Sequence, residues 1–306
     1  MATSKAAVEQ ISDAQKREFK ELGFLVIRDG IEADLVREAS DVMWDAMPHA
    51  KDDHEAILDP DTPSPSGIQD DMETNEPIAE INERLHAYGE QLVGEGTLQD
   101  PGDRTHLALR YPKGVRSNDP RAPQVSSDLN SHIDGWGNEF ELDEDEVGYN
   151  TMFAIAYLDR VRPQGGGFTV WPGSHWTAGE YFQSHSLKSG KGGVPGITEE
   201  GRWDYEIKRS DQADGFELWG DAGTVILAHY KLEHSAGINL SPNVRSAAIT
   251  RLSRPDGDEI KHEAAKDIWK YWPAMQEVDV YPGFEESVIE EQPSGGPTYI
   301  LEQRRY

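Results

Sequence analysis

The second half of the chain is cut by Gly/Pro/Asp turns into apolar runs of strand length, and this pattern restricts the fold more than any other feature. The runs are His106–Tyr111, Thr151–Leu158, Gly167–Trp171, Gly223–His229 and Val244–Leu252, and the turns between them include RPQGGG, WPGS, WGDAG and LSPN. The first third reads differently. Asp13 is placed to cap a helix running to about Leu22, with Gly23 ending it. Phe24–Ile27 reads as a short buried strand. Helical spacing then marks about Glu32–Met47, through Leu35, Ala39, Val42 and Met43, and about Glu76–Gly94, through Ile78, Ile81, Leu85 and Leu92. Lys51–Asn75 lacks periodicity and is expected to be a loop or lid. Ser184–Gly220 reads as a long insertion, and a short helix, His262–Tyr271, is expected in the C-terminal part. Short helices followed by many short strands predict a mainly β fold with supporting α-helices, of the jelly-roll type. We expect one domain over 1–306: helical support over about 10–95, a β core over about 105–254 interrupted by 184–220, and an extension over 255–306.

Composition removes several chemistries. There is no cysteine, so disulfides, thiolate nucleophiles, iron–sulfur clusters and sulfur-ligated zinc are excluded. Any metal must be held by His, Asp, Glu or water, donors that suit Fe(II), Mn(II), Mg(II) or a catalytic zinc. Fifty-seven acidic residues against 29 basic ones give a formal charge of −28, which repels nucleic acids and anionic membranes, and neither is expected as a partner. That acidity reads either as an ordinary solvated surface or as adaptation to a salty cytoplasm. The polar N-terminus and the lack of an apolar run of roughly 18 residues lead to the expectation of a soluble, cytoplasmic protein.

The histidines carry the metal argument. His132 and Asp134 are two apart in Ser131-His132-Ile133-Asp134; on a strand, positions i and i+2 share a face and can reach one ion. Alone, such a pair is weak, because most copies are surface or turn residues. His234 follows the Gly223 strand, and Arg245 opens the next strand eleven residues later. Two histidines and one carboxylate fill one face of an octahedron and leave three positions open, as non-haem Fe(II) oxygenases require. A guanidinium at Arg245 can clamp a carboxylate bidentately, which a lysine does less specifically.

With these residues in view, HID, GGGFTVWPGSH and GDAGTVILAHYKLEHSAGINLSPNVRSAAITR resemble the phytanoyl-CoA dioxygenase family. The opening GFLVIRDGIEADLV looks like that family's usual start. The resemblance covers about residues 13–47 and 105–254. It implies a double-stranded β-helix (jelly-roll, cupin-like) core, iron held by His132, Asp134 and His234, and 2-oxoglutarate clamped by Arg245. It also implies further 2-oxoglutarate contacts, for which Arg110, Asn150 and Thr151 are candidates. An aspartate at 134, where some relatives have a small residue, implies oxygenation and not halogenation. The expected activity is O2-dependent hydroxylation of a small organic substrate with release of succinate and CO2, with ascorbate as an activator in vitro. Two alternatives stand beside it: a jelly-roll that binds metal without oxidising anything, and a cupin-type isomerase or hydrolase.

Competing readings attach to several of these residues. His229 rivals His234 as the distal ligand, but its strand position favours pointing into the barrel or pairing with a neighbour. His175, in a tight turn, and Trp136 and Trp171 are candidate pocket walls, although aromatics near turns more often pack the core. His106 and His185 read as structural or exposed, and His49, His54, His86 and His262 as solvated. The three glycines 165–167 lack the helix and lysine of a phosphate loop and read as a hairpin turn.

Overall fold

The computed structural model describes residues 8–59, 61–62, 67–68, 75–100, 102, 105–112, 131–133, 151–184 and 215–280. The first helix, α1 (Asp13–Leu22), begins with a capping box. The Gln15 N–H donates to the Ser12 hydroxyl, and the Gln15 side chain accepts from the Ser12 N–H at 2.9 Å. Ser12 is therefore the cap, and Asp13 is instead a first-turn acid favoured by the helix dipole. Gly23 ends the helix at φ 84°, a left-handed geometry that suits glycine. Chain order continues β1 (Phe24–Ile27), α2 (Ala33–Asp45), α3 (His54–Leu58), β2 (Gly67–Ile68), α4 (Glu76–Val93), β3 (His106–Arg110), β4 (Met152–Tyr157), β5 (Phe168–Val170), α5 (Ser174–Ser184), β6 (Phe216–Leu218), β7 (Val225–His229), β8 (His234–Ala236), β9 (Arg245–Leu252) and α6 (Gly257–Lys266).

The strands form two antiparallel sheets, one ordered β1-β7-β4-β9-β3-β2 and the other β6-β5-β8. Alternation divides the large sheet cleanly. Leu25, Ile27, Leu107, Leu109, Ala154, Ala156, Val225, Leu227, Ala248 and Leu252 face a helical layer that contributes Phe19, Val36, Met43, Ile78, Ile81, Leu85 and Leu92. Phe24, Phe153, Ile155, Tyr157, Ile226, Ala228 and Ala247 face the other way and share a cluster with Val170, Phe216 and Leu218 of the small sheet. This second, inter-sheet face carries the site described below. Two buried polar links fix the helices to the sheet. Thr250 Oγ1 donates to Asn82 Oδ1 of α4 at 2.6 Å. Asp159, just past β4, accepts from Ser40 Oγ, Trp44 Nε1 and Ser246 Oγ and pairs with Lys51.

Several expectations are corrected. The 51–75 segment contains α3 and β2, and the 184–220 segment contains β6. The PGSH turn leads directly into α5, and the C-terminal helix begins at Gly257 and not His262. Among the described residues, no helix is long and apolar enough to cross a membrane.

Candidate metal and cosubstrate site

His132 and His234 lie opposite each other in an isolated antiparallel bridge, each N–H donating to the other's carbonyl at 2.9 Å. Directly opposed residues of such a pair present side chains on one face. Their imidazole centroids are 4.6 Å apart, and His234 is buried. The register that brings His234 here comes from the small sheet, where His234 pairs with Val170 and Ala236 with Phe168.

His234 is also oriented locally. Its Nδ1 lies 2.9 Å from the Leu232 carbonyl, which can only accept, so the proton sits on Nδ1 and the Nε2 lone pair is left for a ligand. Metal-binding histidines are held in this way by their outer partners. Phe153 and Phe168 pack on the same imidazole at 5.0 and 5.1 Å, giving it apolar walls. Asp134, Asn150 and Trp136 lie outside the described residues. Among the described residues, no three His, Asp or Glu side chains gather as a metal cluster.

Arg245 is buried at the start of β9 and opposite Arg110 of β3. Its Nε donates to the Gly166 carbonyl at 2.9 Å and its Nη1 to the Ala108 carbonyl at 3.0 Å, so the fork is held in place. Burial lowers its pKa to about 10; Tyr157 and Glu217 oppose the shift and Arg110 adds to it, and the group stays charged at neutral pH. Two cations on directly opposed strand positions repel each other. Glu217 offsets part of that charge from a half-buried position, its carboxylate held by the Gly167 and Gln164 N–H groups. Burial pushes the Glu217 carboxyl up, and those N–H donors resist the push. Burial likewise raises the Tyr157 phenol, which stays neutral, donates to the Leu218 carbonyl at 2.6 Å and accepts from the Phe168 N–H. Thr151 is buried just before β4, its N–H donating to the Leu252 carbonyl.

The remaining candidates fall elsewhere. Strand alternation puts Trp171 on the face of the small sheet away from Val170, which leaves Phe168 against His234. His175, at the start of α5, is buried in the helical layer. Its Nε2 lies 3.1 Å from the Lys20 carbonyl, and its ring contacts His229, Trp176 and Trp269. His229 shares the helix-side face with Val225 and Leu227 and does not point into the inter-sheet space. The Lys231 N–H donates to its Nδ1, and its Nε2–H donates to the Ile268 carbonyl at 3.2 Å. His49 is buried, not solvated, and bonds Tyr111 Oη at 2.8 Å.

Sequence reading did not single out Phe153, Phe168, Glu217 or Asn239, and it gave Gly166 only a turn-forming part. Gly166 takes φ +80°, and a Cβ there would come within 2.9 Å of Asn239 Cβ; its carbonyl receives Arg245. Asn239 in turn donates to the Arg110 and Asn243 carbonyls, bracing the two strand ends that carry the arginines. The glycine run was a visible signal, although it does more than turn the chain.

No family model matches the chain, and no curated protein matches it. Solved structures similar to it include EvdMO1, at 18% identity over 79% of this chain and 50% of that one, with a TM-score of 0.48. HygX from Streptomyces hygroscopicus, with nickel and 2-oxoglutarate bound, matches at 17% over 80% and 88%, TM-score 0.49. SnoK, a non-heme alpha ketoglutarate dependent carbocyclase from nogalamycin biosynthesis, matches at 16% over 83% and 90%, TM-score 0.47. The chain spans half the length of EvdMO1. At these identities the likeness is remote, and the case for function lies in the residues of the site.

Proposed function

We propose that the chain is an Fe(II)- and 2-oxoglutarate-dependent oxygenase of the phytanoyl-CoA dioxygenase type, with a double-stranded β-helix core, hydroxylating a small organic substrate. The observation that carries this reading is the His132–His234 bridge, with adjacent imidazoles and His234 held as its Nδ1–H tautomer. A cysteine-free chain offers no thiolate, and the nitrogen and oxygen donors of His and Asp fit Fe(II). His132, His234 and Asp134 would hold the metal, and the bound iron and 2-oxoglutarate would supply the oxidising power, consuming O2 and releasing succinate and CO2.

The chain's own contribution is placement. Arg245 would receive the distal carboxylate of 2-oxoglutarate, with Arg110 adding positive charge from the neighbouring strand. Phe153 touches His234 and Tyr157 neighbours Arg245; the two are four residues, or about 13 Å, apart along β4. An arginine side chain and a five-carbon dicarboxylate cover that span together. Phe153 and Phe168 would keep water from the histidines, and Thr151 and Asn150 stay candidate cosubstrate contacts.

The test uses anaerobic protein with Fe(II). Addition of 2-oxoglutarate should produce a weak visible charge-transfer band that His132→Ala and His234→Ala abolish. Aerobically, with ascorbate, succinate release should follow. A band that survives His132→Ala sinks the assignment. Bound metal without succinate release would move the protein to the non-oxidative jelly-roll or the cupin isomerase/hydrolase reading.

A further inference from the structure

One peptide group joins Glu217 to Arg245. The carbonyl of Gly166 accepts from Arg245 Nε at 2.9 Å, and the N–H of the next residue, Gly167, donates to Glu217 Oε1 at 2.7 Å. Both belong to the Gly166–Gly167 peptide, which is trans, so its C=O and N–H point in opposite directions. Carboxylate, peptide and guanidinium therefore form a single hydrogen-bonded chain. A peptide whose N–H binds an anion is polarised, and its carbonyl becomes a stronger acceptor for the cation on the far side.

The turn around that peptide is shaped to hold a carboxylate. Gln164 and Gly166 both take left-handed conformations, at φ 59° and 80°, and such turns aim successive N–H groups into one concavity. The second carboxylate oxygen of Glu217 accepts from the Gln164 N–H at 2.5 Å, so both oxygens are used on the turn. Gly237 leaves space for them, because a Cβ there would come within 3.2 Å of Glu217 Oε1. Glu217 reaches the turn from β6, at the edge of the small sheet, and Arg245 reaches it from β9 in the large one. The Ala108 carbonyl takes Nη1, so the guanidinium is fixed at two points and keeps its outer edge for a ligand.

We propose that Glu217 is a positioning residue that fixes Arg245, through the Gly166–Gly167 peptide, for the distal carboxylate of 2-oxoglutarate. The ligand in this proposal rests on the oxygenase reading, and the hold on Arg245 rests on the hydrogen-bond chain alone. A rival role gives the opposite result. As a bare counter-charge to Arg245 and Arg110, Glu217 would weaken anion binding, and its removal would tighten 2-oxoglutarate. As a positioning residue, its removal loosens the fork and weakens 2-oxoglutarate.

The experiment uses the full chain and two measurements. The first needs no ligand: the Arg245 Nε–H signal in nitrogen–proton NMR spectra, identified as the one that Arg245→Lys removes. Glu217→Gln should shift that signal and speed its exchange with solvent roughly tenfold or more, the loss of a charge-assisted chain. The second is calorimetric titration of protein loaded with redox-inert Zn(II), using 2-oxoglutarate and 2-oxopentanoate, which has the same chelating end and no distal carboxylate. Wild type should prefer 2-oxoglutarate by roughly 10–100-fold, and Glu217→Gln should cut that preference about tenfold. Affinity for 2-oxopentanoate should stay within about twofold, a selectivity that general loosening of the fold would not give. Glu217→Asp, whose stem is too short for both N–H groups, should move both measurements the same way, and it replaces Glu217→Gln if that variant does not fold. An unchanged Nε–H exchange rate overturns the proposal, as does a preference for 2-oxoglutarate that stays the same or grows. If wild type binds neither 2-oxo acid while the Nε–H signal still depends on Glu217, the oxygenase reading falls and the hold on Arg245 stands.

Discussion

His234 shows how a single side chain is oriented by its own backbone. The Leu232 carbonyl takes the Nδ1 proton, Phe153 and Phe168 fill the sides, and the bridge to His132 fixes the distance to the second imidazole. Arg245 is set up in the same manner by the Gly166 and Ala108 carbonyls. Arg245→Lys keeps the charge but loses the fork and both braces. We expect it to raise the 2-oxoglutarate dissociation constant roughly tenfold or more, with the circular dichroism spectrum unchanged. An affinity within twofold of wild type would remove Arg245 from the clamp role. The meeting of His132 and His234 could be expected from sequence because ligand chemistry restricts residue type and spacing. Phe153 and Phe168 could not, since an aromatic on a buried strand reads as core until its neighbour is known.

At the scale of elements, the long periodic helices and the turn-bounded strands were legible, α6 was legible with displaced ends, and α5 and β6 were not. α5 buries Ser174, His175, Ala178, Tyr181 and Phe182 on one face, but Ser174 and His175 are polar, so no clean apolar stripe marks it in the sequence. β6 is three residues long and lies between glycines. The C-terminal segment after α6 acts as a clasp. Trp272 stacks on His229 with ring centroids 5.1 Å apart, Trp269 lies edge-on to His175, and both tryptophans contact Phe19 of α1. Trp272 is fully buried, and Trp272→Ala is expected to cost about 3–5 kcal/mol by chemical denaturation.

That clasp also makes the fold acid-sensitive. Burial holds the His229 pKa well below its usual value, with His175 and Lys231 opposing protonation and the Ile268 carbonyl favouring it. The unfolded histidine titrates near 6.5, so below that pH the unfolded chain takes up a proton that the native chain refuses. The stabilisation is complete above about 6.5 and is lost as pH falls from there toward the depressed native value. The slope from this one group reaches at most about 1.4 kcal/mol per pH unit. His229→Gln, which keeps an N–H for Ile268, should be less stable at pH 7.5 yet flatter between 6.5 and 5.5 in urea titrations. Equal slopes for the two proteins would refute the attribution to His229.

At the scale of the whole molecule, charge is sorted by position: the net charge is −28, yet the inter-sheet face carries arginines. Salt should therefore act on the two regions differently. Repulsion among exposed carboxylates is long-ranged and is screened as the Debye length falls from about 10 Å at 0.1 M to about 3 Å at 1 M. Relief of that repulsion favours the compact state. We expect Tm to rise by several degrees between 0.1 and 2 M KCl; a flat response would mean an ordinary solvated surface with no adaptation to salt. Arg245 is buried, and buried pairs are screened much less than exposed ones. Its hold on 2-oxoglutarate should weaken only slightly over the same range. Calorimetric titration at both salt concentrations checks this, because a steep loss of 2-oxoglutarate affinity with salt would contradict a sealed anion site at Arg245.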